Sequence, residues 1–270
     1  MSAAGGLGWL AIFRLGLVQT ALGAIVVLTT STMNRVMVVE LALPAMLPGA
    51  LVALHHAVQL LRPRLGHGSD VGGRRTPWIV GGMGVLALGG VGAALGTAWM
   101  ASNVTAGVML AVLSFVMIGI GTGAAGTSLL VLLAKRVDDS RRAAAATIVW
   151  TMMIVGFIVT AGLAGHFLDP FSPQRLVTVT AATAAAAFVL TLLAVAGVER
   201  GAPLQAAATA AAVPFRQALA QVWAEREARR FTVFVFVSML AYSAQDLILE
   251  PFAGTVFGFT PGQSTQLSGV

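Results

Sequence analysis

Long uncharged runs dominate the pattern of hydrophobic and polar positions along this chain. Five runs, bounded by charged residues, contain 20, 21, 59, 26 and 23 residues. A helix needs about 20 apolar residues to cross a hydrocarbon core about 30 Å thick. Four runs therefore predict one span each, the longest predicts two, and a seventh span is predicted after Arg230. The predicted spans are 13–34, 44–62, 77–100, 104–133, 145–167, 175–197 and 231–250.

The runs indicate membrane helices because they are continuous and rich in Ala, Leu, Val and Gly. The strands of a membrane barrel show alternating segments of about ten residues instead. We therefore predict an all-α membrane protein. Residues 251–270 carry no charge, and we interpret them as the exit of the seventh span and the start of an incomplete eighth. This interpretation divides the chain into a six-helix bundle over 1–198, a cytoplasmic linker over 199–230 and the start of a second half over 231–270.

The linker contains a predicted amphipathic helix. Pro214 suits the first position of a helix, and Phe215, Leu219, Val222 and Trp223 recur behind it at helical spacing. Two interpretations stay open. The helix lies on the cytoplasmic leaflet of the membrane, or it is a solvated connection between two bundles.

The composition and the distribution of charge support the same class. The chain is 57% hydrophobic and 10% charged, with a mean hydropathy of +0.89, whereas soluble domains are roughly 25% charged. If the N-terminus is cytoplasmic, fourteen of the sixteen Lys and Arg residues fall on the cytoplasmic side, and only Arg35 and Arg175 fall outside. Basic loops favour the cytoplasm, so we predict this orientation. The net charge of +6 then faces anionic lipid rather than nucleic acid.

The predicted loop between the second and third spans carries a motif. Gly66, Asp70, Gly73, Arg74 and Arg75 form the pattern G-x-x-x-D-x-x-G-R-R. Glycine permits close helix packing and tight turns, and an aspartate can accept hydrogen bonds from a helix N-terminus. The pattern resembles the loop 2–3 signature of the major facilitator superfamily. The resemblance implies a major-facilitator-type bundle, with the N-terminal six-helix half followed by the start of the C-terminal half.

A closer resemblance covers nearly the whole chain. The stretches that carry it are 13–19, 28–41, 62–63, 73–78 and 245–252. They resemble the PucC/LhaA family, the bacteriochlorophyll delivery branch of that superfamily. The resemblance implies a light-harvesting complex assembly factor, with bacteriochlorophyll or a precursor as its candidate cofactor. Relatives in this family have about twelve spans in two related halves, so we expect this chain to be truncated after about seven.

The same resemblance implies a location and partners. The location is the inner, photosynthetic membrane of a bacterium, which the chain crosses several times. The implied partners are the lipid bilayer, light-harvesting antenna polypeptides and enzymes of pigment synthesis. An ordinary secondary transporter, which moves a small solute by alternating access, is the alternative function.

His55 and His56 are the candidate pigment-binding residues. Both lie inside the second predicted span, where polar side chains are costly and often functional. A neutral imidazole is a common metal ligand, and the magnesium of a bacteriochlorophyll ring is such a metal. In the structural alternative, the two rings hydrogen-bond to a neighbouring helix or reach the headgroups.

A second group of polar residues lies at the predicted outer ends of the first and seventh spans. The candidate polar or gating residues are Asn34, Arg35, Glu40, Gln245, Asp246 and Glu250. We expect Arg35 to pair with Glu40, Asp246 or Glu250, either as a closure contact or as a purely structural one. Asp246 and Glu250 share one helix face at a separation of four residues. They form a proton site, or they lie solvated at the outer interface.

Spans 3 and 4 are rich in glycine. Residues 121–126 include a formal G-x-G-x-x-G, but a nucleotide fingerprint needs a preceding strand. We therefore interpret the glycines, among them Gly119 and Gly123, as close-packing surfaces. In the alternative interpretation, these glycine-rich faces leave room for a flat ligand. The chain has no cysteine, and no nucleophile–base pair or metal-ligand cluster is recognisable. The sequence thus predicts no catalytic or metal site, and an enzyme is not expected.

Overall fold

The computed structural model describes residues 7–65, 74–199 and 215–267, and this part of the chain contains helices and turns without strands. In chain order, the helices are α1 (Trp9–Glu40), α2 (Met46–Val58), α3 (Thr76–Met100), α4 (Val104–Arg136), α5 (Arg142–Leu168), α6 (Pro173–Val195), α7 (Phe215–Ala224), α8 (Arg226–Phe257) and α9 (Pro261–Leu267).

The helix lengths confirm an all-α membrane protein that crosses the bilayer several times. Within the described ranges, α1, α3, α4, α5, α6 and α8 are long and apolar enough to span. The second predicted span differs. Its first α-helical part, α2, has 13 residues, continues into a 3-10 turn at Gln59–Leu61 and is followed by a further helical turn over 62–65. The pattern of charged residues could not reveal this change of helix type, because Gln59 carries no charge.

α1 is longer than the sequence predicts. Its predicted end was residue 34, because Arg35 closes the uncharged run, but the helix continues to Glu40. It does so through two π-helical segments, Leu28–Thr32 and Val36–Glu40. Arg35 does not end the helix, because its charge is paired inside the protein. The connection between the first two predicted spans, 35–43, therefore starts only at Leu41.

α3 and α4 form an antiparallel pair with glycine at the contact. Asn103 begins α4, where its side-chain oxygen accepts a hydrogen bond from the Ala106 nitrogen at 3.0 Å. A Cβ added at Gly121 of α4 would lie 2.5 Å from the Leu86 nitrogen and 2.6 Å from the Gly82 oxygen. The predicted close packing is thus confirmed here, whereas Gly81 faces open space.

The glycine surface of α4 also holds α2. A Cβ at Gly119 would lie 2.7 Å from the His55 carbonyl oxygen. Gly123 lies in looser contact, with its Cβ position 3.1 Å from Leu65. The predicted Gly119–Gly123 surface is therefore a packing surface, which contacts α2 at Gly119 and the helical turn over 62–65 at Gly123.

α8 is longer than the predicted span 231–250 and ends at Gly258, whose φ of +66° suits glycine. The short α9 then returns toward the bundle. Gly262 packs against the Gly165 carbonyl of α5, and the hydroxyls of Thr265 and Thr32 lie 3.0 Å apart. At the predicted opening of an eighth span, the structure describes the helix α9 in contact with α1 and α5, and the eighth span itself stays a prediction.

One end of the bundle collects basic residues, and we call it the basic end. The Leu7 nitrogen donates to the Arg136 carbonyl at 2.8 Å, and the Arg141 guanidinium lies 5.7 Å from the ring centre of Trp9. We call the other end, where α1 finishes at Glu40, the Arg35 end. Which of the two faces the cytoplasm remains a prediction from the distribution of charge.

Candidate functional site

Arg35 is the centre of the Arg35 end. Its side chain is only 2% exposed. One terminal nitrogen donates to the Glu40 carboxylate at 2.5 Å, and the other donates to the Phe259 carbonyl. The pairing with Glu40 is one of the three that the sequence predicts. The bond to Phe259 joins α1 to the turn between α8 and α9.

Further contacts attach α8 to α1 beside Arg35. The Asn34 amide donates to the Leu247 carbonyl at 2.7 Å. Gly254 lies against the guanidinium, since a Cβ there would come within 3.2 Å of the Arg35 Nε. Sequence reasoning missed Leu247, Gly254 and Phe259, because two of them act through backbone oxygens and one through the lack of a side chain.

The acidic pair predicted on α8 is only partly described. Glu250 is fully buried, so the solvated interface alternative is wrong for this residue. Gln245 is exposed. The side chain of Asp246 lies outside the described part of the chain, and its predicted role stays a prediction.

A cavity of about 640 Å³ opens beside Arg35. Glu40 and Asp169 line it together with the turn from Gly258 to Pro261. The Asp169 carboxylate accepts the Thr260 hydroxyl at 2.7 Å and the Gly262 nitrogen at 3.2 Å. One cation and two anions thus surround the cavity. Among the described residues, no group of His, Cys, Asp or Glu is placed to hold a metal ion.

The two candidate histidines differ in their surroundings. His55 is 1% exposed, its Nε2 lies 2.7 Å from the Gln59 amide nitrogen, and its Nδ1 is buried. His56 is exposed on the outer face of α2. The ring centres are 4.7 Å apart. Only His56 therefore presents its ring to a ligand outside the bundle.

The predicted loop signature is described only at its end. Gly66, Asp70 and Gly73 lie outside the described residues, Arg74 is exposed and Arg75 is buried. The backbone nitrogens of Arg75 and Thr76 donate to the Glu199 carboxylate at 3.0 and 2.8 Å. The acceptor at the start of α3 is thus Glu199, from the turn after α6, which the sequence analysis did not single out, and the predicted role of Asp70 stays a prediction.

The turn after α6 is also held from α1. An Arg14 terminal nitrogen donates to the carbonyls of Leu193 and Ala196 at 2.9 and 2.6 Å. These carbonyls belong to the last turn and C-cap of α6, where cations are favourable. Arg14 and Glu199 therefore tie α1, α3 and α6 together at the basic end.

Glu199 makes this attachment sensitive to acid. Burial raises the pKa of its carboxyl, but hydrogen bonds from the Thr76 side chain and from the Arg75 and Thr76 backbone outweigh burial, and the net pKa is lowered. A lowered folded-state pKa stabilises the protein above the unfolded pKa, and this stabilisation disappears as the pH falls through the folded value.

We expect Glu199→Gln to lower the free energy of unfolding by about 1 kcal/mol at pH 7, the usual effect of losing a helix cap. The difference from the wild type should shrink below the ordinary carboxyl pKa of about 4.3. Thermal unfolding in detergent between pH 7 and pH 3 measures it. Glu227→Gln, at an exposed carboxylate in the first turn of α8, is the control. Parallel pH profiles for the wild type and Glu199→Gln would contradict the expectation.

Comparison with known proteins identifies the family. The family described as PUCC protein matches residues 32–270. The chain is 56% identical over 265 residues to the "Bacteriochlorophyll synthase 44.5 kDa chain" of Rhodobacter capsulatus, an alignment that covers 98% of this chain and 61% of the relative. It is 28% identical over 278 residues to "Protein PucC" of the same organism, which covers 95% and 59%.

A third relative, "Uncharacterized protein in puhA-bchM intergenic region" of Rhodobacter capsulatus, is 31% identical over 274 residues, covering 95% of this chain and 56% of the relative. The chain thus spans between 56% and 61% of the length of these three curated relatives. The family match extends from the second half of α1 through α9 and includes the Arg35 site. The chain belongs to the PUCC protein family.

Proposed function

We propose that the chain acts in the assembly of light-harvesting complexes and handles bacteriochlorophyll in the photosynthetic membrane. The observation that carries this proposal is the 56% identity to a relative named for bacteriochlorophyll synthase, together with membership of the PUCC family. The proposal gives the chain no catalytic step of its own. Its proposed partners are antenna polypeptides and pigment-synthesis enzymes. From the distribution of basic residues, we also propose that the N-terminus is cytoplasmic.

A pigment ring would be held through an imidazole on its central magnesium. The described geometry suits His56 and not His55. The His55 ring is enclosed beside α4, and its Nε2 already contacts Gln59. The His56 ring is exposed, and Ala53, one turn earlier on the same helix face, is exposed and small. A flat ring can approach such a surface closely.

We expect His56→Leu to lower the amount of bacteriochlorophyll that purifies with the full chain by about tenfold or more. The reason is that losing even an outer-sphere partner of a metal ligand commonly costs ten- to a hundredfold in affinity. The visible and near-infrared absorption of the detergent-purified protein, scaled to protein concentration, measures it.

His55→Leu is the matched control for the neighbouring imidazole and should keep most of the pigment. Pigment that stays at the wild-type level in His56→Leu contradicts the role of His56. A wild-type protein that purifies without pigment or antenna subunits from a phototrophic host contradicts the proposed function itself.

A further inference from the structure

A groove of about 700 Å³ runs between α1, α5 and α6, and neither candidate histidine nor Arg35 lines it. Small side chains form much of its wall, among them Ala21, Ala164, Ala182 and Ala186. Its lining on α6 extends from Gln174 to Leu190. At a rise of 1.5 Å per residue, this is about 24 Å, most of the hydrocarbon thickness of a bilayer.

Four threonines line the groove, and the structure shows the hydroxyls of two of them bonded within the protein. The Thr20 hydroxyl donates to the Met152 carbonyl at 2.8 Å, and the Thr178 hydroxyl donates to the Gln174 carbonyl at 2.9 Å. Both hydroxyls are therefore satisfied by backbone oxygens of the helices. A hydrocarbon chain fits such a wall without leaving these polar groups unsatisfied.

One end of the groove carries a positive charge. Arg175 lines it in the first turn of α6 and is exposed. One guanidinium nitrogen donates to the Asp169 carbonyl at 2.6 Å, which leaves further N–H groups of the guanidinium for a ligand. Among the described residues, no carboxylate forms an ion pair with Arg175.

The positive charge of Arg175 does not stabilise α6. A cation in the first turn opposes the helix dipole, and Arg175 is one of the two basic residues on the side that the charge distribution predicts to be poor in them. A bound anion would offset the unfavourable interaction with the helix dipole and would neutralise a basic residue on the side predicted to be poor in them. The groove thus combines a long apolar surface with a cation at one end.

We propose that this groove binds one anionic phospholipid, with its phosphate on Arg175 and an acyl chain along α6. Guanidinium and phosphate match in charge and in bidentate geometry. The tail of an uncharged pigment ester would fill the groove but would provide no anion for Arg175. The site is separate from His56, so the proposal does not depend on the pigment function.

The test is titration of the delipidated full chain with phosphatidylglycerol, and with phosphatidylcholine of the same chains, read by native mass spectrometry. We expect one phosphatidylglycerol per chain and weaker phosphatidylcholine binding. Arg175→Gln should weaken phosphatidylglycerol binding about tenfold, in line with the loss of a charge-assisted hydrogen bond. Arg175→Lys should lie between, because lysine keeps the charge but loses the fork of donors.

Ala182→Phe should block the groove, while Ala185→Phe is its matched control, since Ala185 is exposed on the same helix outside the groove. Equal binding of the two lipids, equal affinity in Arg175→Gln and wild type, or equal behaviour of the two phenylalanine variants would each overturn the proposal. So would pigment that competes with phosphatidylglycerol for this groove. Arg175 lies on the surface, so its variants decide the matter even if Ala182→Phe fails to fold.

Discussion

Gly121→Val is expected to prevent the bundle from assembling, so that little folded protein accumulates in the membrane. The position where the first side-chain carbon would appear lies 2.5 Å from the Leu86 nitrogen and 2.6 Å from the Gly82 oxygen. These are backbone atoms of α3, and a backbone cannot rotate away as a side chain can. The two helices would have to separate along their contact.

The size of the effect can be graded. Gly121→Ala adds one carbon and should cost about 1–3 kcal/mol, the usual range for overpacking, whereas valine adds two more carbons. Gly81→Ala is the matched control on α3, where nothing lies within 4 Å of the added carbon. It should be neutral or stabilise by up to about 1 kcal/mol through helix propensity. Monodisperse protein on size-exclusion chromatography and its melting temperature measure the series.

Gly121→Val protein that accumulates and melts like the wild type would contradict the close contact between α3 and α4. The same conclusion would follow if Gly81→Ala were as damaging as Gly121→Ala. In that case general sensitivity of glycines in these helices, rather than backbone contact, would explain the result.

Glu40→Gln is expected to have the next largest effect, a loss of about 3 kcal/mol in the free energy of unfolding. Arg35 is almost fully buried and pairs with Glu40. Removing one partner of a buried pair leaves an uncompensated charge, which costs about 3–5 kcal/mol. We expect the lower end of this range, because Glu40 is 31% exposed and water screens part of the interaction.

The loss should be local as well as global. Because Arg35 also donates to the Phe259 carbonyl, the turn after α8 should exchange its amide hydrogens faster in Glu40→Gln. Asp139→Asn is the matched control, since it removes an exposed ion pair with Arg142. The Asp139 side chain is 86% exposed and the Arg142 side chain 50%. It should cost no more than about 0.5 kcal/mol. If Glu40→Gln and Asp139→Asn lower the free energy of unfolding by the same amount, the buried Arg35–Glu40 pair contributes no more to stability than the exposed Arg142–Asp139 pair.

The class of the protein could be predicted from sequence because the physical signal is local. A run of about 20 uncharged residues is visible without knowing what it packs against. The same rule misplaced the end of α1, since it treats every arginine as a residue that must reach water. Arg35 stays inside because Glu40 and a carbonyl 224 residues away receive its donors.

The partners in the candidate site could not be predicted for the same reason. Glu199 accepts hydrogen bonds from residues more than 120 positions away, and nothing in its own surroundings in the sequence indicates this. Gly81 and Gly82 are neighbours in the sequence, yet one faces open space and the other a helix backbone. Composition predicts that glycines pack closely, but only the helix phase decides which of them do.

The two π-helical segments of α1 change the directions in which the side chains after them point, compared with a regular α-helix. Each π-helical segment, Leu28–Thr32 and Val36–Glu40, bonds five residues back instead of four and so holds one residue more. A helical wheel drawn from the first half of α1 consequently assigns Asn34 and Arg35 to the wrong directions. A one-residue deletion in either segment can be absorbed locally by a return to the ordinary turn, while the parts before and after keep their facing.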